Sequence, residues 1–274
     1  METILYSEVS EAELLEKNRI YDEAANALWR TVVYEPVHGG WEFTNMGGRA
    51  ILDYVGQFAE ASAGKRVLEL CSGLGATCCY LAEKFDCQVT GIELNRHQMA
   101  HALQKIARDP RLAEKVEFVE ADIRHWNAAQ QFDVAFTLDS LMLVNSVDEI
   151  LLQVHSALKP GGVVVLTEMT SGPNVTGELL NFIWRLDGMI TVPPPYEYRK
   201  MLTAAGFSDI EIADVTYLAE DCFRQMAGAV QSQKEQLRET IDATEIANWE
   251  NLTAFYLDCF RNEQFSYSRI TARR

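Results

Sequence analysis

The stretch Arg66-Val-Leu-Glu-Leu-Cys-Ser-Gly-Leu-Gly-Ala-Thr, running to Thr77, constrains the fold more than any other part of the chain. Val67, Leu68 and Leu70 give the short apolar run of a strand buried in a parallel sheet. Gly73 and Gly75 follow, and glycine allows backbone angles and a close ligand approach that a β-carbon would block. A helix over Ala76 to Lys84 then points its N-terminal amides at whatever occupies the turn, as in a nucleotide site. Glu69 puts a carboxylate near that turn, which suits a cationic or amine-bearing guest better than a pyrophosphate.

Elements downstream extend the pattern. A second strand, Gln88-Val-Thr-Gly-Ile-Glu-Leu, carries Glu93 at its tip, 24 positions after Glu69 (93 − 69). An acidic side chain there can accept both hydroxyl hydrogens of a ribose. A third strand, Val116 to Ala121, leads to Asp122 and Ile123, a carboxylate and an apolar contact placed to meet an adenine. A fourth, Phe132 to Leu138, ends at Asp139, and a fifth, Gly162 to Glu168, follows the turn Lys159-Pro-Gly-Gly.

These motifs resemble those of the class I S-adenosylmethionine-dependent methyltransferases. Glu69-Leu-Cys-Ser-Gly-Leu-Gly stands where that family has an acidic residue followed by Gly-x-Gly-x-Gly, and Glu93, Ala121-Asp122-Ile123 and Leu158-Lys-Pro-Gly-Gly fill the later motifs in order. Cys71 departs from the pattern, taking the place of the usual first glycine, so a slightly remodelled turn is expected there. A plain Rossmann-type dehydrogenase would account for the first two features and not the rest. The resemblance implies a Rossmann-like α/β fold with a seven-stranded, mostly parallel sheet and S-adenosyl-L-methionine as cofactor. It also implies cofactor contacts from Tyr34, Trp41, Glu69, Cys71, Ser72, Gly73, Gly75, Glu93, Leu94, Gln98, Asp122, Ile123 and Leu138.

Composition limits the partners. The formal charge is −16, and no Lys/Arg run or basic, aromatic-interleaved stripe appears, which argues against a nucleic-acid backbone as partner. No apolar run is long enough to span a membrane, and the start Met-Glu-Thr-Ile-Leu-Tyr-Ser-Glu lacks a signal peptide's basic flank, so a soluble, cytoplasmic monomer or homodimer is expected. Six cysteines, at 71, 78, 79, 87, 222 and 259, form no CxxC pair and sit near no histidine at metal-ligand spacing. Packing explains them better than the cysteine chemistry of arsenite methyltransferases, and no metal is expected.

Three additions surround the core. Residues 1–48 form an N-terminal arm ahead of the 49–274 domain, with a capped helix expected from Ser10 that turns Leu14, Leu15 and Ile20 inward. Within the arm, Tyr34 to Gly48 combines aromatics with four glycines and reads either as a mobile lid or as a packed arm. A second addition covers about 170–198, punctuated by Gly172-Pro, Gly177 and Pro193-Pro-Pro before a helix at Tyr198 to Ala205. The third, 217–264, separates strand six (Asp209 to Thr216) from strand seven (Phe265 to Ala272), and apolar residues from Phe223 to Phe260 recur there at helical spacing. With His38-Gly-Gly-Trp, Asp139-Ser-Leu and Tyr267-Ser-Arg-Ile-Thr-Ala-Arg, this layout resembles the small-molecule branch that includes sarcosine/dimethylglycine and phosphoethanolamine N-methyltransferases.

Methyl transfer from a sulfonium is an in-line displacement that needs an acceptor lone pair held close and water kept out. An amine must be neutral to attack, and a carboxylate can orient it and take up its proton. Asp139 is the first candidate, its other reading being a helix cap before Ser140 to Val144, and Glu168 the second. A hydroxyl acceptor needs a stronger base, and His38 is the one of the five histidines expected to reach substrate. His97 and His101 read as surface residues, His155 as scaffold and His125 as an adenine neighbour. The leading expectation is methylation of a small amine or amino-acid-like molecule; O- or C-methylation of a larger natural product, or another displacement at the sulfonium such as cyclisation, are the alternatives.

Overall fold

The computed structural model describes residues 29–59, 64–239 and 241–274. The helix expected from Ser10 lies outside them. Seven strands, β1 (Arg66–Leu70), β2 (Gln88–Glu93), β3 (Val116–Glu120), β4 (Phe132–Leu138), β5 (Leu158–Ser171), β6 (Ser208–Asp214) and β7 (Phe265–Arg273), form one sheet in the order β3-β2-β1-β4-β5-β7-β6. Only β7 runs antiparallel to its neighbours. The chain leaves β1 toward β2 and β3 on one side and returns to β4 and β5 on the other, so a crevice opens where the carboxyl ends of β1 and β4 diverge, the usual ligand position in open α/β sheets.

Successive strand residues point to opposite faces, and helices cover both. The helix α1 (Glu35–His38) precedes the core; then α2 (Gly48–Ala59) and α3 (Ala76–Phe85) bury Ile51, Leu52, Val55, Cys78 and Leu81 against Val67, Val134, Val163 and Val165. Next come α4 (Arg96–Ala107), α5 (Pro110–Ala113), α6 (Val147–Ala157), α7 (Gly177–Asp187) and α8 (Pro195–Ala204). Of these, α6 and α8 bury Ile150, Leu151, Val154, Tyr198 and Leu202 against the other face, on Leu68, Leu70, Val164 and Leu166. A third apolar cluster lies over the crevice, built from α9 (Thr216–Ser232) and α11 (Ala243–Arg261), which α10 (Lys234–Leu237) connects.

Three expectations change at the boundaries. β5 does not wait for the glycine turn: its pairing starts at Leu158 and shifts register across Phe132 and Val134, while Gly161 at φ 78° donates its N–H to the carbonyl of Arg274. The glycines make a bulge within the strand rather than a turn before it. The segment 170–198 contains a helix, α7, where only loop punctuation was expected. Thr176 caps it by accepting the Leu179 N–H at 3.2 Å, and Gly188 ends it at φ 74°. The next helix starts three residues earlier than expected, with Pro195 at its first position, where the missing N–H costs nothing.

Candidate active site

The turn after β1 shapes the floor of the site. Cys71 adopts φ 57°, the left-handed conformation that favours glycine, so the cysteine carries the strain of a glycine position. Gly75 has a different reason to be glycine. A β-carbon there would lie 2.4 Å from Cζ of Phe118 and 2.9 Å from Cβ of Ala102, so the residue lets the start of α3 pack on β3 and α4. Gly91 in β2 makes the same kind of room for Ser72, whose side chain would meet a β-carbon at 2.8 Å.

Glu93 ties the turn to β2. One carboxylate oxygen accepts the N–H of Gly73 and the other that of Asn95, both at 2.8 Å. Burial still pushes its carboxyl up, because two amide donors offset only part of the lost hydration. Asp122, at the tip of β3, is gripped by the Arg124 guanidinium and backbone N–H, which hold its carboxyl below the usual range despite desolvation.

A cavity of about 470 Å³ opens over these strand ends, within the range of small-ligand sites. Of the expected cofactor contacts, Tyr34, Cys71, Gly73, Glu93, Leu94, Gln98, Asp122, Ile123 and Leu138 line it. Trp41, Glu69, Ser72 and Gly75 do not. Trp41 stacks on Phe43 at 5.4 Å and meets Tyr80 edge-on at 5.2 Å, which packs it, half-buried, against the core beside α3. Glu69 turns inward: Thr77 Oγ1 donates to its Oε2 at 2.6 Å and Cys78 Sγ at 2.8 Å, and burial pushes its carboxyl up to about 8. Ser72 is buried beneath the turn, and Gly75 serves helix packing.

The expected proton acceptors separate in the same way. Asp139 lines the cavity at the end of β4, with φ 55°, Oδ2 accepting the Met46 N–H at 2.6 Å and Oδ1 the Thr167 hydroxyl at 3.1 Å. Burial raises its carboxyl to about 6. The capping role considered for Asp139 belongs to Glu168, which is not in the cavity wall. Glu168 is fully buried within β5, and it accepts the N–H groups of Ser140, Leu141 and Met142 at 2.9 to 3.3 Å. It pins the turn that presents Asp139. His38 lines the cavity with Nε2 buried and unpaired, and desolvation lowers its imidazole to about 4, so it is neutral at physiological pH. His125, by contrast, is exposed and outside the wall.

The upper half of the cavity is apolar. Phe223, Met226, Trp249, Leu252 and Tyr256 come from α9 and α11, joined by Met46, Met142, Met169 and Met189. Phe255, expected here, packs instead on Phe182 at 5.2 Å. Two polar features escaped the sequence reading. Asn45 is buried and lines the cavity with neither Oδ1 nor Nδ2 paired, and Asp187 lies in the wall beside Tyr256. Asn45 stands next to the segment Met-Gly-Gly, where a buried amide carries no sequence signal of its own.

Known proteins resemble this chain in sequence and in fold. Residues 67–162 match the model of a methyltransferase domain. The cofactor-side strands of this chain are thus similar to a methyltransferase domain. Phosphoethanolamine N-methyltransferase 1 of Arabidopsis thaliana is 28% identical over 208 residues, covering 74% of this chain and 40% of the relative. The chain thus spans about two fifths of that relative's length. An S-adenosyl-L-methionine-dependent Diels-Alderase of Talaromyces variabilis is 31% identical over 169 residues, covering 56% of each chain. Among solved structures, phosphoethanolamine N-methyltransferase 2 of Haemonchus contortus, in complex with phosphomonomethylethanolamine and S-adenosylhomocysteine, superposes with a TM-score of 0.85. Its sequence identity is 18%, and the match covers 97% of this chain and 60% of the other. At that identity the likeness speaks for the methyltransferase fold. Among the described residues, no helix is long and apolar enough to cross a membrane.

Proposed function

We propose that the chain methylates the nitrogen of a small-molecule amine carried on a largely apolar skeleton. The observation that carries this reading is the composition of the cavity wall. It brings the carboxylate of Asp139 to apolar and aromatic surfaces, and the only Lys or Arg among its described residues, Arg124, is already held by Asp122. A phosphate or carboxylate group would find no uncommitted cation there, whereas an amine finds an acceptor. The relatives that act by name on phosphoethanolamine support nitrogen as the acceptor atom but not that headgroup.

The residues present fit the cofactor. Bound S-adenosylmethionine supplies an electrophilic methyl group on a sulfonium. Glu93 keeps lone pairs for the ribose hydroxyls after accepting its two amides, and Asp122 with Ile123 addresses the adenine. The unpaired amide of Asn45 offers one donor and one acceptor to the polar ends of a methionine tail, which would relieve two buried groups at once. Tyr34, His38 and Thr44 to Met46 form the arm's side of the cavity wall and keep water out. Asp139 orients the amine through an N–H and takes up the proton released when the nitrogen is methylated. With its carboxyl near 6 it is mostly ionised at neutral pH yet basic enough to accept. Neutral His38 is available as a hydrogen-bond partner to the acceptor rather than as a charge.

A second reading, in which cofactor is bound and not consumed, is favoured by the identity to a Diels-Alderase. Incubation with S-adenosylmethionine and a graded panel of apolar amines, followed by mass spectrometry, separates the two. Methylated amine with S-adenosylhomocysteine supports methyl transfer to nitrogen; methylated alcohols in its place would overturn the amine assignment.

A further inference from the structure

The roof of the cavity holds a carboxylate that this chemistry does not use. Asp187 closes α7 and lies in the cavity wall, where the Tyr256 hydroxyl of α11 donates to its Oδ2. Gly188 turns left-handed directly after it and fixes the end of the helix at that point. Tyr256 is itself held firmly, its ring stacked on Phe223 at 4.9 Å and set edge-on against Phe255 at 5.1 Å. Among the described residues, none donates to Oδ1 of Asp187, and Met189, Phe223 and Leu252 make the adjoining wall apolar. Burial pushes the carboxyl up, as expected for an acceptor with one donor in apolar surroundings. A tie between α7 and α11 that served only the fold would not need a place in the cavity wall.

We propose that Asp187 and Tyr256 form a second substrate anchor, which binds a hydroxyl or amino group at the end of the substrate remote from the methylated nitrogen. The substrate class is then an apolar chain or ring system with hydrogen-bond donors at both ends, one at Asp139 and one at the roof. This rests on the amine reading above for the Asp139 end only. Two anchors in the wall of one methionine-lined cavity select by the distance between a substrate's polar groups, while the flexible methionines adapt to the skeleton between them.

The test uses the full chain saturated with S-adenosylhomocysteine and measures binding by calorimetry. The probes are n-alkylamines of graded length, the α,ω-amino alcohols of the same lengths, and the corresponding alkanediols. At the best-fitting length the amino alcohol should bind about tenfold more tightly than the alkylamine, the effect of one hydrogen bond to a charged group. That ratio should fall close to one in both Asp187→Asn and Tyr256→Phe. Taking the ratio within each variant cancels any general loosening of the roof, and Tyr256→Phe keeps the ring stack if Asp187→Asn folds poorly. A wild-type ratio of one, a ratio unchanged in the variants, or no binding by any probe overturns the anchor. If the hydroxyl preference depends on Asp187 but diols bind as tightly as amino alcohols, the anchor stands and the amine reading falls.

Discussion

Replacing Glu93 by alanine removes two things at once, and the structure separates them. The first is the support of the turn, since the N–H groups of Gly73 and Asn95, each 2.8 Å from a carboxylate oxygen, lose their acceptor. Each buried donor left unmet costs about 1–3 kcal/mol, less where water reaches it through the cavity. The second is the proposed grip on the ribose, where hydrogen bonds to a charged acceptor contribute about 1.5–3 kcal/mol, or roughly 10- to 150-fold in affinity. Urea unfolding of the cofactor-free protein reads the first, and calorimetry with S-adenosylhomocysteine reads the second. The expectation is a lower midpoint together with affinity weakened by at least tenfold. Lower stability with unchanged affinity would refute the ribose assignment and leave Glu93 as a turn support alone.

The remaining outcomes concern the acceptor, the arm and the fold. Asp139→Asn should cut turnover far more than cofactor affinity, measured by steady-state rates and calorimetry, because shape survives while the charge is lost; equal effects on both would return Asp139 to a structural role. Wild-type turnover should rise with pH through about 6 as Asp139 ionises, and the variant should lose that inflection. Because the folded value lies above the 3.8 of a free aspartate, Asp139 contributes stability that is full below about 4 and lost as pH rises through about 6, so Asp139→Asn should flatten unfolding free energy across that window. Hydrogen exchange across Tyr34 to Gly48 should slow when cofactor is added; equal exchange would leave a packed arm with no lid function. Gly75→Ala should destabilise by roughly 1–3 kcal/mol in urea unfolding, from its clash with Phe118 and its φ of 72°.

Most residues that line the cavity at the strand ends were legible because their positions are set by strand tips. Glu93, Asp122 and Asp139 each stand at or just past the end of a strand, and a strand's end in an open α/β sheet fixes position without any knowledge of packing. The misplacements have a common cause. Trp41, Glu69 and Glu168 have side chains suited to ligand contact, but the direction a side chain takes depends on tertiary neighbours: Phe43 and Tyr80 for Trp41, Thr77 and Cys78 for Glu69, and the amides of Ser140 to Met142 for Glu168. The helix α7 was hidden by glycine and proline punctuation, although Thr176, Glu178 and Gly188 are start and stop signals that outweigh it. Asp187 could not be singled out before that helix was known. Its significance comes from meeting Tyr256, 69 positions further on, across the roof.

The proposed reaction moves the methyl group of S-adenosylmethionine to an amine nitrogen. The most direct test supplies cofactor with a deuterated methyl group and a panel of apolar amines and amino alcohols, then follows both the cofactor product and the label by mass spectrometry. The expected products are S-adenosylhomocysteine and an amine carrying the intact labelled methyl on nitrogen, in equal amounts. Release of methylthioadenosine, label on oxygen or carbon, or substrate conversion with cofactor left whole would contradict it.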